Sequence, residues 1–259
     1  MENKVVLVVG CGRDNIGLAV ARKFAGEGYA VIGIDTNCDL NRESQDFKNV
    51  FREFFMVDIT SEEQVEDLFA RIEGSFGRLD AVVNSAGINI LGPIDAYDAT
   101  KLRTVLDVNL VAQFILLNAY VKHFDNDGNK KNYLAVTSDT GSFLAKTSTF
   151  AYGASKAGAN GLLQCVAREL NKYHDDNWTI IPFAAGCVDG TPMDLRTVND
   201  VSEQRGISKD EARKMLTANI PKHRGFSMPE IAEWIYFLMT KGEYASGNVL
   251  RVDNNQQQG

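Results

Sequence analysis

Six short apolar runs recur along this 259-residue chain, and nearly every one is followed by a stretch with helical spacing. The runs are residues 4–10 (KVVLVVG), 29–35 (YAVIGID), 51–58 (FREFFMVD), 79–85 (LDAVVNS), 132–138 (NYLAVTS) and 178–184 (WTIIPFA). They are too short for core helices, and most are apolar at successive rather than alternate positions. That pattern belongs to strands buried on both faces. Helical patterns fill residues 16–28, 61–76, 100–124, 149–170, 200–218 and 229–240, with Thr60 as the expected cap of the second and Pro229 in the first turn of the last. Residues 36–49 have room for one turn of helix at most, and residues 248–252 read as a seventh strand. Pro182 weakens the strand pattern of the sixth. Strands alternating with helices predict βαβ units, hence a mainly parallel, doubly wound seven-stranded sheet with helices on both faces. No linker or repeat interrupts the pattern, so residues 1–259 read as a single domain.

Composition narrows the functional classes. A net charge of −7 without a basic stripe disfavours a nucleic-acid partner. Four scattered cysteines and three dispersed histidines offer neither a disulfide framework nor a zinc-binding pattern. The start MENKVVLVVGCG lacks a signal-peptide pattern, and no run approaches 18 apolar residues, so neither secretion nor a membrane span is expected. The chain reads as soluble and cytoplasmic.

In such sheets ligands bind at the carboxyl ends of the strands. The first strand runs into Gly10, Cys11, Gly12, Arg13, Asp14, Asn15, Ile16 and Gly17. Glycines let backbone approach a pyrophosphate, and the following helix start supplies N–H donors. Asp35 ends the second strand eighteen residues after Gly17, a spacing that suits a carboxylate on an adenosine ribose. A 2′-phosphate would meet like charge there, and Thr36 and Asn37 bring no cation, which favours NAD over NADP. Asp58 either accepts from an adenine amine or belongs to a turn. Asn84, Ser85, Ala86 and Gly87 are small and polar, as backbone passing close to a cofactor requires. Ser138 is either a hydroxyl donor to substrate or a turn serine, and a further Gly-rich turn follows the sixth strand at residues 185–193. Tyr152 and Lys156 stand at i and i+4 at the start of a helix, which brings an ammonium beside a phenol. Alone that spacing is more often structural than catalytic.

Together these residues resemble the short-chain dehydrogenase/reductase family, single-domain branch, with its Rossmann-like fold, from Lys4 to about Asp253. The resemblance rests on Gly10 to Gly17, Asp35, Asp58, Asn84 to Gly87, Asn109, Ser138, Tyr152 with Lys156, and Gly186 to Met193. It implies a catalytic tetrad of Asn109, Ser138, Tyr152 and Lys156. It implies cofactor contacts from Gly10, Arg13, Asn15, Ile16, Gly17, Asp35, Asp58, Ile59, Asn84, Ala86, Gly87, Tyr152, Lys156 and Gly186, with Val188 and Thr191 toward the nicotinamide carboxamide. The glycine turn is one residue longer than the family's, with Asn15 in place of the middle glycine. Asparagine tolerates a left-handed backbone, which would preserve the turn.

The implied reaction is hydride transfer between NAD and a secondary alcohol or ketone. Tyr152 would be the general acid/base, and the Lys156 ammonium would favour its phenolate. Ser138 would hold the substrate oxygen, and Asn109 a water linking Lys156 to solvent. The alternatives are an enoyl reductase, epimerase or dehydratase, or a non-catalytic nucleotide sensor, for which the altered glycine turn is the one favouring feature. Substrate contacts are expected from residues 88–94, 139–146 and 191–225. The last is either a lid with Met193, Leu195, Met215 and Leu216 beneath it or a solvated surface helix. Lys146 or Arg196 could meet an acidic substrate. A homodimer or homotetramer is implied by the resemblance; the small residues Ala157, Gly158, Ala159 and Gly161 suit close helix approach or internal packing.

Overall fold

The runs become β1 (Val5–Val9), β2 (Ala30–Asp35), β3 (Glu53–Met56), β4 (Ala81–Asn84), β5 (Lys131–Val136), β6 (Trp178–Ala185) and β7 (Leu250–Val252). In the computed structural model, which describes residues 4–125, 128–138, 143, 147–174 and 177–253, they form one sheet of order β3-β2-β1-β4-β5-β6-β7. Every pairing is parallel. The strand order reverses between β1 and β4, and a crevice opens at such a switch point beyond the carboxyl ends of the strands.

The helices are α1 (Ile16–Gly26), α2 (Gln45–Val50), α3 (Glu62–Phe76), α4 (Ala99–Leu106), α5 (Ala112–Phe124), α6 (Phe150–Tyr173), α7 (Pro192–Arg205), α8 (Lys209–Thr217) and α9 (Met228–Lys241). All five β1 residues are buried because both faces are covered. Val5, Leu7 and Val9 pack with Phe69, Leu116, Tyr120 and Leu163 beneath α3, α5 and α6. Val6 and Val8 pack with Leu18, Phe24, Ile231 and Ile235 beneath α1 and α9.

Several local expectations shift, each for an identifiable reason. Ser61, not Thr60, caps α3 by accepting from the Gln64 N–H, while the Thr60 hydroxyl donates to Asp58. Pro182 sits inside β6 without a lost bond. Ile180 bonds toward Ser246 and Gly247, and Phe183 accepts from Thr137 on the β5 side. Alternation therefore turns the Pro182 nitrogen to the β7 side, where β7 pairs only from Phe183 onward. Residues 191–225 hold two helices rather than one, separated at Gly206, whose φ of +62° suits glycine. Val198, Ala212 and Ile220 are the buried apolar residues of this segment, whereas Leu195 and Met215 are exposed and Met193 and Leu216 half-buried.

Residues Ala99–Phe124 do form one helical run long and apolar enough for a membrane span, contrary to expectation, with mean hydropathy 1.5. Half of that window is buried, and Leu116 and Tyr120 lie in the core, so its apolarity is explained by packing against the sheet. Gly158 packs inward, since a Cβ there would sit 3.0 Å from Leu110, while Gly161 faces open space.

Candidate active site

The start of α6 places Tyr152 and Lys156 at the carboxyl end of β5. Both are buried, with Lys156 only 3% exposed. Lys156 Nζ lies 5.7 Å from the centroid of the Tyr152 ring and donates to the Val136 carbonyl, the last of β5, at 3.1 Å. Burial pushes the ammonium down to about 8. Desolvation disfavours its charged form, yet at neutral pH the group remains mostly cationic beside the phenol. Ser138 is buried two residues beyond that same carbonyl, so the strand end carries both groups.

Asn109 is fully buried in a π-helical turn, Asp107–Val111, between α4 and α5. Such turns widen a helix locally and recur at functional sites. Its amide clamps the segment after β4: Oδ1 accepts from the Ile88 N–H at 2.9 Å, and Nδ2 donates to the Ile88 carbonyl at 2.8 Å and to Ser155 Oγ at 3.0 Å. Ser155 in turn donates to the Tyr152 carbonyl at 2.7 Å. Both N–H groups of Asn109 are therefore used, and any water at its side chain would have the second lone pair of Oδ1. Gly87 passes through the gap between these groups, for a Cβ there would stand 3.1 Å from Lys156 Nζ and 3.3 Å from Asn109 Oδ1. The four tetrad candidates thus gather around one glycine and one strand end.

The glycine turn meets the same region from the other side of the switch point. Gly10 has φ +80°, and a Cβ there would lie 2.9 Å from the Ala86 backbone. Asn15 is not left-handed but extended, with φ −157°. It serves through its side chain, donating to the Gly10 carbonyl at 2.9 Å and capping α1 by accepting from the Leu18 N–H. The extra residue is absorbed sideways: Gly12 N–H donates to Asp35 Oδ2 at 2.9 Å, Asp39 N–H donates to the Gly12 carbonyl at 2.8 Å, and Gly12 packs on the Asn37 carbonyl with no room for a side chain.

These features fit a dinucleotide. Gly10, Gly17 and Gly87 let the turn, the start of α1 and the post-β4 segment pack closer together than side chains would allow, which brings the N–H groups at the start of α1 to the crevice. Arg13 lies half-buried on the turn with no ion pair among the described residues. One Asp35 oxygen is committed to Gly12, and the other has only long contacts of 3.5 Å to Thr36 and Asn37. Asp58 is exposed and uses Oδ1 to accept from the Thr60 N–H and hydroxyl, so its turn role is real and Oδ2 remains available; Ile59 is buried beside it. Asn84 shapes the turn by accepting from the Ala86 N–H at 3.0 Å. Gly186 lies against the Asp253 backbone, Val188 is buried, and Thr191 caps α7. Asp139 and Lys146 lie outside the described residues; Arg196 is exposed, with Nε donating to the Pro192 carbonyl.

Sequence reasoning missed Ser155 and the group Asp189, Asp194 and Arg213. Ser155 adjoins the Tyr/Lys pair in a run of small residues and could have been flagged. Arg213 reaches Asp194 across nineteen positions and two helices, with no local signal.

A family model for the short chain dehydrogenases matches residues 4–202. Sorbitol-6-phosphate 2-dehydrogenase of Escherichia coli (strain K12) is 26% identical over 260 residues, 98% of each chain. The 3-hydroxyacyl-CoA dehydrogenase type-2 of Bos taurus is 25% identical over 264 residues, 98% of this chain and 95% of the relative. The crystal structure of sorbitol-6-phosphate 2-dehydrogenase from Erwinia amylovora superposes with a TM-score of 0.87 at 27% identity, covering 98% of this chain and 100% of that one.

Proposed function

Because the chain belongs to the short-chain dehydrogenase family, we propose that it is an NAD-dependent oxidoreductase acting on a secondary alcohol or ketone, with Tyr152 as general acid/base. The observation that carries this reading is the buried Lys156 ammonium, 5.7 Å from the Tyr152 ring and hydrogen-bonded, among the described residues, to the neutral Val136 carbonyl. No carboxylate among the described residues pairs with it, which supports a charge available to stabilise a phenolate. When bound, the nicotinamide supplies the hydride acceptor or donor. The Tyr152 oxygen takes the proton from the substrate hydroxyl during oxidation and returns it during reduction. Ser138 donates to the substrate oxygen and stabilises the developing alkoxide. Asn109 ties the post-β4 segment to α6 through Ile88 and Ser155.

Gly10, Asn15, Ile16, Gly17 and Arg13 would hold the pyrophosphate, and Asp35 the adenosine ribose. A carboxylate at Asp35, with no cation at positions 36 and 37, supports NAD over NADP. Leu91, Ile94, Leu195 and Met215 are exposed in segments that follow β4 and β6. They support a substrate whose reacting carbon is carried on an aliphatic body. Exposed Val111 and Phe114 on one side, and Trp234, Phe237 and Tyr244 on another, support a homo-oligomer.

Tyr152→Phe tests the reading. Turnover of secondary alcohols should disappear while cofactor fluorescence still reports binding. Retained turnover would reject Tyr152 as the proton-transfer group, and binding without turnover in the unaltered protein would support a nucleotide sensor.

A further inference from the structure

The turn after β6 contains a side-chain cluster that none of the tetrad roles uses. Cys187, Asp189 and Asp194 bring Sγ and two carboxylates within 4.8 Å of one another, a spacing that would suit a metal ion. A cation from the chain itself stands there instead. Arg213, on α8, donates through Nη2 to Asp194 Oδ2 at 2.6 Å and through Nη1 to Asp194 Oδ1 and, at 3.2 Å, to Asp189 Oδ1. Asp194 is 8% exposed, so its charge has little access to water and this fork is its main compensation.

The two carboxylates in turn hold both ends of the segment that carries α7 and α8. Asp194 Oδ2 accepts from the Gly190 N–H at 2.8 Å where the segment departs. Asp189 Oδ2 accepts from the Gly225 N–H at 3.0 Å where it returns. Val188 is bridged to Phe226 beside that return. Thr191 closes the path: its hydroxyl donates to the Val188 carbonyl at 3.2 Å and accepts from the Asp194 N–H at 3.2 Å. A chain of contacts therefore runs from Arg213 through Asp194 to Gly190, Thr191 and Val188. Gly225 has no room for a side chain, since a Cβ would lie 2.6 Å from the Cys187 carbonyl and 2.7 Å from Asp189 Oδ1.

We propose that Arg213 is a positioning residue for the nicotinamide end of the cofactor, seated in the Cys187–Asp189–Asp194 socket so that Val188 and Thr191 hold their places. This rests on the cofactor reading above, in which Val188 and Thr191 face the carboxamide. Neither Asp35 nor the glycine turn belongs to this set of contacts, so the adenosine and pyrophosphate end should not depend on it.

Calorimetric titration of the full chain with NAD⁺ and with ADP-ribose, which lacks the nicotinamide, separates the two ends. Arg213→Ala should weaken NAD⁺ by about tenfold and leave ADP-ribose unchanged. Added methylguanidinium should restore part of the NAD⁺ affinity by refilling the socket. Arg213→Lys, which keeps the charge but not the fork, guards against a variant that fails to fold; it should show the same selective loss to a smaller degree. Equal weakening of both ligands, or of neither, in variants with native circular dichroism would overturn the proposal. Failure of the unaltered protein to bind either ligand would instead overturn the cofactor reading, and the proposal with it.

Discussion

Replacing Lys156 by Met should destroy activity and make the protein more stable at neutral pH. A lysine ordinarily titrates near 10.5, and burial brings this one down to about 8. That displacement corresponds to roughly 3 kcal/mol of unfavourable charge burial, at about 1.4 kcal/mol per pH unit. Methionine is unbranched, similar in length and needs no solvation, so it removes that cost. It also removes the donor to the Val136 carbonyl, returning ~1 kcal/mol as an unmet acceptor. The net gain is ~2 kcal/mol, or roughly half a molar in urea midpoint for a chain of this size. The sign depends on pH in a defined way. Between about 8 and 10.5 the unfolded chain holds a proton that the native state has released, so native stability rises with pH across that window. Below it the full cost is present, and above it none. The advantage of the Met variant should therefore be greatest at pH 7 and largely gone by pH 9.5. Urea denaturation of both proteins without cofactor, at those two pH values, measures it. Lys156→Met that is less stable at pH 7, or a difference that does not change with pH, would show that the buried ammonium is not the strained group inferred here. Turnover should fall by about 10²–10⁴ in the same variant, the usual contribution of acid–base catalysis.

Asn109→Ala should strip the Ile88 N–H and carbonyl of their partners, costing ~3 kcal/mol and lowering Tm by roughly 6–10 °C. A calorimetric scan with Tm unchanged would mean the clamp is dispensable. Asp35→Ala should reduce the ratio of kcat/KM for NAD over that for NADP, and also weaken both cofactors, because Gly12 loses its acceptor. Steady-state kinetics with the two cofactors would expose an unchanged ratio, which would remove Asp35 as the discriminating group.

Most of the sheet was legible because burial on two faces writes itself into consecutive apolar residues, as in β1 and β6. The Tyr152–Lys156 pair was legible because i,i+4 geometry is local. The strand-end residues were legible because parallel topology collects them on one edge. Contacts closing across long sequence distances were not. Nothing near Asn109 announces Ile88, and nothing near Arg213 announces Asp194. Each is fixed by where a helix docks, and the docking is decided by core residues elsewhere. The break at Gly206 was also missed, since charged residues on both sides obscure helical periodicity. Asn15 was read correctly in place and wrongly in cause: its side-chain amide, not a left-handed backbone, makes the lengthened turn workable.

The lengthened turn has a further consequence for Asp35. Here the extra residue is held out toward the β2–α2 connection, and Gly12 takes one of the two Asp35 oxygens. On the cofactor reading proposed above, the shape of the glycine turn and the choice between a ribose hydroxyl and a 2′-phosphate would both rest on this one side chain. A substitution meant to invite NADP by removing the negative charge would also take the acceptor from the Gly12 N–H. Asparagine at position 35 separates the two functions, because its amide oxygen can still accept from Gly12 while the charge is gone. Cofactor choice should then relax with little loss of pyrophosphate affinity, whereas alanine should lose both together.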